Sequence, residues 1–351
     1  MQRHTPMVMS LGLALLTIIA LAFIPWAGIA WLGLGYFFGV IVPYAALSVF
    51  LAGGIHRLIK WGRAPDPFRI PTTAGQQKSL SWIKHDKLEN PYTASQVIAR
   101  MAMEVLLFRS LFRNRKTRPG EGPGLTYGSS KWLWMFAMVF HYALLMTLFG
   151  HLRFFVDPVP APIQAFLSLD TWFSIGLPRL MISGLVLLGA VSLLLARRIF
   201  IPNLRYISLL NDYFPLVLIG AIALSGAVMR YIIGVDVAGV KTLAMGLVSF
   251  RPVVPENLSA LVFVHLFLVS VLLAYLPFSK LMHMAGIFFS PTRNQPNNSR
   301  AVRHENPWNY VVGYHTYEAY EDEFRDKMVE AGIALEKPPR ASSAKDKQSG
   351  Q

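Results

Sequence analysis

Four of the nine histidines in this 351-residue chain lie in or against long apolar runs: His141, His151, His265 and His283. A polar ionisable side chain is costly in a hydrocarbon setting and usually marks function there. One such histidine is most simply a hydrogen-bonded packing residue. Four, as two pairs on two helices, point to shared ligation of a metal. The chain has no cysteine. That excludes a disulfide framework, an iron–sulfur cluster, a thiolate zinc site and a covalently attached c-type haem. Any metal must sit on His, Met or oxygen ligands. His4, His56, His85, His304 and His315 lie in basic, polar or juxtamembrane sequence and read as surface residues.

The elements that carry the four histidines follow from composition. Hydrophobic residues make up 54% of the chain and charged residues 15%, against about 25% charged in a typical soluble domain. Mean hydropathy is +0.42. A transmembrane helix needs about 20 mostly apolar residues. Six stretches qualify: 8–30, 32–55, 132–152, 171–196, 213–234 and 257–278. The first two touch and form a tight hairpin around Gly33 and Gly35. The first span has a short basic start like a secretory signal, but its apolar run is long for one, so it reads as a retained span.

The net charge of +14 suits a nucleic-acid binder only until the charges are placed. Of 33 Lys and Arg, 28 lie at Arg3, in 56–131, in 197–205 or beyond position 279. Basic loops mark the cytoplasmic side, so both termini are expected in the cytoplasm and the chain in the inner membrane. Anionic lipid or an acidic partner is a secondary use of that charge. The organisation expected is an N-terminal hairpin (1–55), a basic cytoplasmic segment (56–131), a four-helix bundle (132–289) and a cytoplasmic tail (290–351). Within 56–131, residues 94–114 show helical amphipathic spacing: Val97, Ile98, Met101, Val105, Phe108, Leu111 and Phe112 against Arg100, Glu104, Arg109 and Arg113. Such a helix lies in the headgroup plane or packs on a partner. A second, acidic helix is expected over 317–331, and a disordered end from 338. No internal repeat, phosphate loop, GxSxG or HExxH is present.

Geometry supports pairing. The third and sixth spans run antiparallel, which puts His151 and His265 toward the outside and His141 and His283 toward the cytoplasm. Ten residues separate the first helix's pair by about 15 Å, and eighteen separate the second's by about 27 Å. With level midpoints each cross-helix pair is offset by about 6 Å. Eighteen residues are five whole turns, so His265 and His283 share a face. Ten residues miss a common face by about 80°, which asks for some rotation. Two imidazoles facing across a bundle core are the arrangement for axial ligation of haem. Ligation from both sides leaves no open position and suits electron transfer. Two b-type haems, one near each membrane face, are expected.

The paired histidines on a five-helix core resemble the gamma subunit family of respiratory nitrate reductase. The flanking segments are similar to the branch that contains DsrM, the membrane cytochrome of the DsrMKJOP complex. They are Phe68-Arg-Ile-Pro-Thr-Thr-Ala-Gly-Gln-Gln-Lys-Ser-Leu80, Glu104-Val-Leu-Leu-Phe-Arg-Ser-Leu-Phe-Arg-Asn114 and Tyr127-Gly-Ser-Ser-Lys-Trp-Leu-Trp134. Later ones are Phe278-Ser-Lys-Leu-Met-His-Met284, Ser290-Pro-Thr-Arg-Asn294 and Asn306-Pro-Trp308. The likeness spans about residues 30–333, and the extra N-terminal span fits this branch. The resemblance implies an all-α membrane protein of six transmembrane helices, an electron-transfer subunit of a quinone oxidoreductase. It implies haem on His151 and His265 (outer) and on His141 and His283 (inner), with menaquinol as substrate. It also implies a cytoplasmic iron–sulfur partner, DsrK-like, other DsrMKJOP subunits, and the sulfur carrier DsrC. No nucleic-acid partner is expected. By topology Arg153, Asp157, Arg230, Tyr231 and Asp236 are candidates near the quinone, each also readable as a propionate partner or interfacial anchor. The rival readings are a nitrate reductase or heterodisulfide reductase cytochrome, a haem-free anchor, and a transporter. The last predicts mid-span acids, which are missing.

Overall fold

The structure is a computed structural model, and it describes residues 5–64, 75–119, 124–171, 180–303 and 313–337. Six of its helices are long and apolar enough to cross a membrane: Val8–Leu32, Phe37–Gly62, Lys131–Phe154, Ile182–Phe200, Leu210–Ile233 and Ala260–Phe278. The chain is an all-α membrane protein. Their regular parts are α1 (Thr5–Leu32), α2 (Val42–Gly62), α5 (Lys131–His151), α7 (Ile182–Phe200), α9 (Leu210–Val228) and α11 (Ala260–Tyr275). Gly33, at φ +63°, closes α1, and the Leu34 N–H donates to the Gly28 carbonyl across the turn. Only glycine takes that left-handed position without strain, so the first hairpin is as tight as expected.

The fourth span begins later than its apolar run suggests. A separate helix, α6 (Ala161–Asp170), ends at Asp170. The Asp170 carboxylate then accepts hydrogen bonds from the backbone N–H and the hydroxyl of Ser183, both at 2.7 Å. Those bonds satisfy the open first turn of α7 and fix its start. Residues 172–179, with Arg179, lie outside the described residues.

The spans pack in sequence. α5 packs on α7, α7 on α9 and α9 on α11, while α1 packs against α9 and α11, and α2 against α11. One core cluster joins Phe140 and Ala143 of α5 to Leu187, Ala190 and Val191 of α7 and Ile219 of α9. Another joins Ala14 and Ile18 of α1 to Tyr213, Val217 and Leu218 of α9 and Val264 and Leu268 of α11. α5 and α11 make no extensive packing contact with each other. The two helices that the sequence pairs by their histidines are therefore held by intermediaries.

The basic segment carries α3 (Ala94–Leu107), α4 (Arg109–Arg113) and an antiparallel hairpin of β1 (Arg115–Pro119) with β2 (Leu125–Ser129). The single helix expected over 94–114 is broken at Phe108, which adopts φ 49°, ψ 47°. Its two faces are present, and the structure decides which turns inward: Arg100 and Glu104 are buried, at 5% exposure each, and Ile98 is 69% exposed. The polar side chains turn inward because they have partners there. Arg100 Nη1 donates to the Glu89 carbonyl at 3.0 Å, and Glu104 accepts from the N–H of Ser110 at 3.0 Å and from its hydroxyl. Arg109 and Arg113 both pair with Glu89. The Glu89 N–H also donates to Asp86 Oδ1, which holds the Asp86 carboxyl below the usual carboxylate range. Asn297 ties this segment to the end of the bundle through Asn90 and Gln77.

Shorter helices link the spans: α8 (Pro202–Ile207) between α7 and α9, and α10 (Val237–Val248) between α9 and α11. At 12 residues α10 is too short to span. After α11 comes α12 (His283–Gly286). Residues up to Val302 form one compact unit, and a second unit contains α13 (Tyr317–Glu330), which matches the acidic helix expected there. Its Arg325–Glu321 ion pair is buried at 3.1 Å, and Glu321 accepts the backbone N–H groups of Glu336 and Lys337. The tail end from 338 and the 306–308 segment lie outside the described residues.

Candidate functional site

The chain path between His265 and His283 corrects the five-turn argument. α11 gives way to a 3-10 turn at Leu276–Phe278, Ser279 is extended at φ −111°, ψ 176°, and a second 3-10 turn follows at Lys280–Met282. Pro277 has no N–H to continue the ladder, and the Ser279 hydroxyl caps the new turn by accepting from the Leu281 N–H. His283 therefore sits on α12 and not on a continuation of α11. The break re-aims it, and a straight helix would not.

The structure brings the four histidines together as two pairs. The ring centres of His141 and His283 are 5.9 Å apart, with planes at 88°. Those of His151 and His265 are 6.3 Å apart, with planes at 11°. Each Nδ1 is engaged. In His141 it meets the Ala137 carbonyl at 2.7 Å, in His151 the Thr147 carbonyl at 2.7 Å, and in His283 the Lys280 carbonyl at 3.0 Å. A carbonyl only accepts, so Nδ1 carries the proton in these rings and Nε2 carries the lone pair. His265 Nδ1 lies 2.9 Å from the Ser225 hydroxyl, which itself lies 2.9 Å from the Ile222 carbonyl. The serine proton goes to the carbonyl, so Ser225 accepts from Nδ1, and His265 matches the other three.

The sequence reading missed Ser225. A lone hydroxyl in the apolar run Ala-Leu-Ser-Gly was the available signal, but only the packing of α9 on α11 assigns its partner. Next to it Gly226 keeps α9 close: a Cβ there would stand 3.4 Å from His265 Cε1. The reading also missed Phe108, whose ring lies edge-on to His141 at 4.9 Å. Phe140, on α5 itself, lies edge-on to the same ring at 5.0 Å.

These donors fit a haem iron held by two imidazoles. Metal–imidazole nitrogen bonds are about 2 Å, so two rings on opposite sides of one metal stand about 6 Å apart between centres. Both pairs meet that spacing, with the ligating tautomer already fixed by a hydrogen bond on the far nitrogen. Among the described residues no group of three or more His, Asp or Glu side chains converges to hold a bare ion. What the rings offer is ligation by pairs.

Around the His151 end the remaining candidates separate by duty. Asp157 pairs with Lys241 at 3.0 Å. The Tyr231 hydroxyl accepts from the Met181 N–H at 2.7 Å. Asp236 caps α10 by accepting from the Ala238 N–H. Arg153 and Arg230 lie within electrostatic reach of each other and Arg153 of the buried Asp170. Arg230 belongs to a π-helical turn, Met229–Ile233, a backbone form frequent at functional sites.

The sequence profile of the nitrate reductase gamma subunit family matches residues 101–296. The "Hdr-like menaquinol oxidoreductase cytochrome b-like subunit" of Archaeoglobus fulgidus is 43% identical over 282 residues, 78% of this chain and 84% of that protein. The protein of the same description from Archaeoglobus profundus is 40% identical over 274 residues, 76% of this chain and 81% of its own. One subunit of the "Dihydromethanophenazine:CoB--CoM heterodisulfide reductase" of Methanosarcina barkeri is 22% identical over 254 residues, 71% of this chain and 88% of its own. The profile covers the helices that carry all four paired histidines, and the chain belongs to the nitrate reductase gamma subunit family.

Proposed function

We propose that this chain is a membrane cytochrome with two b-type haems, passing electrons between menaquinol and a cytoplasmic iron–sulfur subunit. The carrying observation is the set of four fixed Nδ1 atoms, which leaves Nε2 to be shared within two pairs about 6 Å apart. Bound haem supplies one-electron transfer, with its potential set by ligands and surroundings. His151 and His265 hold the outer group, His141 and His283 the inner one. Their Nδ1–H bonds keep the rings from turning and raise the basicity of Nε2. Phe108 and Phe140 keep water from the His141 ring.

Arg153 and Arg230 supply positive charge at the outer end, where they attract a propionate or a quinone oxygen. Asp157, Tyr231 and Asp236 stay with these two arginines as the candidates for the quinone vicinity, each also holding a structural bond. The relatives named as menaquinol oxidoreductase subunits support the substrate. Both termini and the basic segment are assigned to the cytoplasmic side of the inner membrane by their Lys and Arg. Within the family we assign the chain to the DsrM branch, with a DsrK-like partner, further DsrMKJOP subunits, and DsrC as the sulfur carrier served. A heterodisulfide reductase cytochrome is the second reading, favoured by the Methanosarcina relative.

A reduced-minus-oxidised spectrum with haem quantified per chain tests the proposal. Two haems per chain, reduced by a menaquinol analogue in the intact complex, are expected. Absence of a b-type band sinks the cytochrome reading, and co-purifying subunits separate the two branches. Ser225→Ala is expected to weaken haem retention at one site by about tenfold, because it removes the Ser225 bond to His265 Nδ1 and leaves the Ile222 carbonyl as the ring's remaining partner. Haem titration of the purified variant measures it, and unchanged retention at both sites contradicts that role.

A further inference from the structure

α3 is built inside out for a helix in water. Its inward face carries Arg100 and Glu104 with Val97, and its outward face carries Ile98, Ala102, Val105 and Leu106. A helix bordering water normally shows the opposite arrangement. Ile98 and Leu106 are 69% and 57% exposed. The inward charges have partners within the segment: Arg100 Nη1 on the Glu89 carbonyl, and Glu104 on Ser110.

The end of α3 gives the second observation. The last carbonyls of a helix lack intrahelical partners, and water ordinarily serves them. Here two side chains from α5 do so. Tyr142 Oη donates to the Leu106 carbonyl at 2.8 Å, and Trp134 Nε1 donates to the Leu107 carbonyl at 2.7 Å. Trp134 is in the first turn of α5, but Tyr142 is the twelfth of its 21 residues, halfway along a membrane span. In hydrocarbon both partners need such a bond, since no water is present to replace it. Tyr142 also lies on the outward stripe of α5 with Trp132, Met135 and Val139, all exposed. The Tyr142 bond seats the end of α3 against that stripe.

We propose that α3 is sunk into the bilayer, with Ile98, Ala102, Val105 and Leu106 among the acyl chains of the leaflet that meets the Lys131 end of α5. The buried Arg100 and Glu104 are then protein-facing, and the helix forms a lipid-immersed shelf and not a headgroup-plane raft. This assignment stands on packing and is independent of any bound cofactor.

The cysteine-free chain allows a direct test. Ile98→Cys and Leu106→Cys, each the sole thiol, are labelled with an environment-sensitive fluorophore. The full chain is placed in phosphatidylcholine–phosphatidylglycerol nanodiscs. Brominated acyl chains are expected to quench both labels roughly threefold more than aqueous iodide does, as for side chains below the headgroups. Ala102→Cys, a small-for-small change, provides the same reading if either larger replacement disturbs folding. Dominant iodide quenching overturns the proposal. So does iodide quenching in the purified chain that vanishes only in the intact complex, because a protein partner then covers this face.

Discussion

His283→Ala is expected to leave one haem per chain where two are proposed for the unaltered protein, and His141→Ala to leave the same one. His151→Ala and His265→Ala are expected to leave the other. The expectation follows from where the ligands stand. His141 and His151 share α5, but His265 lies on α11 and His283 on α12 beyond the break at Leu276–Met282. Loss of one ring would remove one of the two imidazoles proposed to hold a haem, and it leaves the other pair's packing in place. His265→Ala has a further advantage as a test. The Ser225 hydroxyl still donates to the Ile222 carbonyl, so the variant creates no unsatisfied donor in α9. Haem quantification with a redox titration reads the result directly. In the His141 and His283 variants a menaquinol analogue should still reduce the surviving centre while delivery to the cytoplasmic partner stops. Loss of both haems from every single variant, or of none, refutes the pairing.

Glu89→Ala is expected to destabilise the basic segment by about 3 kcal/mol, the lower part of the range for stripping a buried ion pair of one member. Glu89 is the shared counter-charge of Arg109 and Arg113, with its side chain only 11% exposed. Arg113 is half exposed, and solvent reduces its share. Both arginines belong to α4, which begins directly after Phe108. That residue is held in the left-handed region, a strained position for a side chain other than glycine, and its ring rests on His141. Releasing α4 therefore releases Phe108. The expected readout is a lower Tm with faster amide exchange over 94–113 and a shifted midpoint potential for one haem, the other unmoved. Glu89→Gln should fall between, since it keeps the shape and loses the charge. Equal shifts at both haems contradict a link through Phe108.

The six spans could be read from the sequence because they rest on local pattern, and the histidine pairs because span order adds a direction to each helix. Apolar runs of helix length are visible residue by residue, and a histidine inside one is conspicuous. The features that escaped depend on tertiary choice. Helical spacing over 94–114 announced two faces, but it carries no sign, and only the partners of Arg100 and Glu104 decide which turns inward. Turn counting from His265 to His283 assumed one helix, although Pro277 and Ser279 stood between them. Asp170 fixes the start of α7 through Ser183, thirteen residues away, beyond the reach of any window of hydropathy. α10 and the β1–β2 hairpin were too short to announce themselves against Gly- and Pro-containing loops.

The interruption between His265 and His283 also bears on how such a protein can vary. In one unbroken helix, adding or deleting a residue swings every later side chain by about 100°. A jointed connection absorbs that change at Leu276–Met282. The depth and orientation of one carrier position can then be retuned across generations while its neighbour on α11 stays in register with Ser225. The joint lets the two histidine positions vary separately.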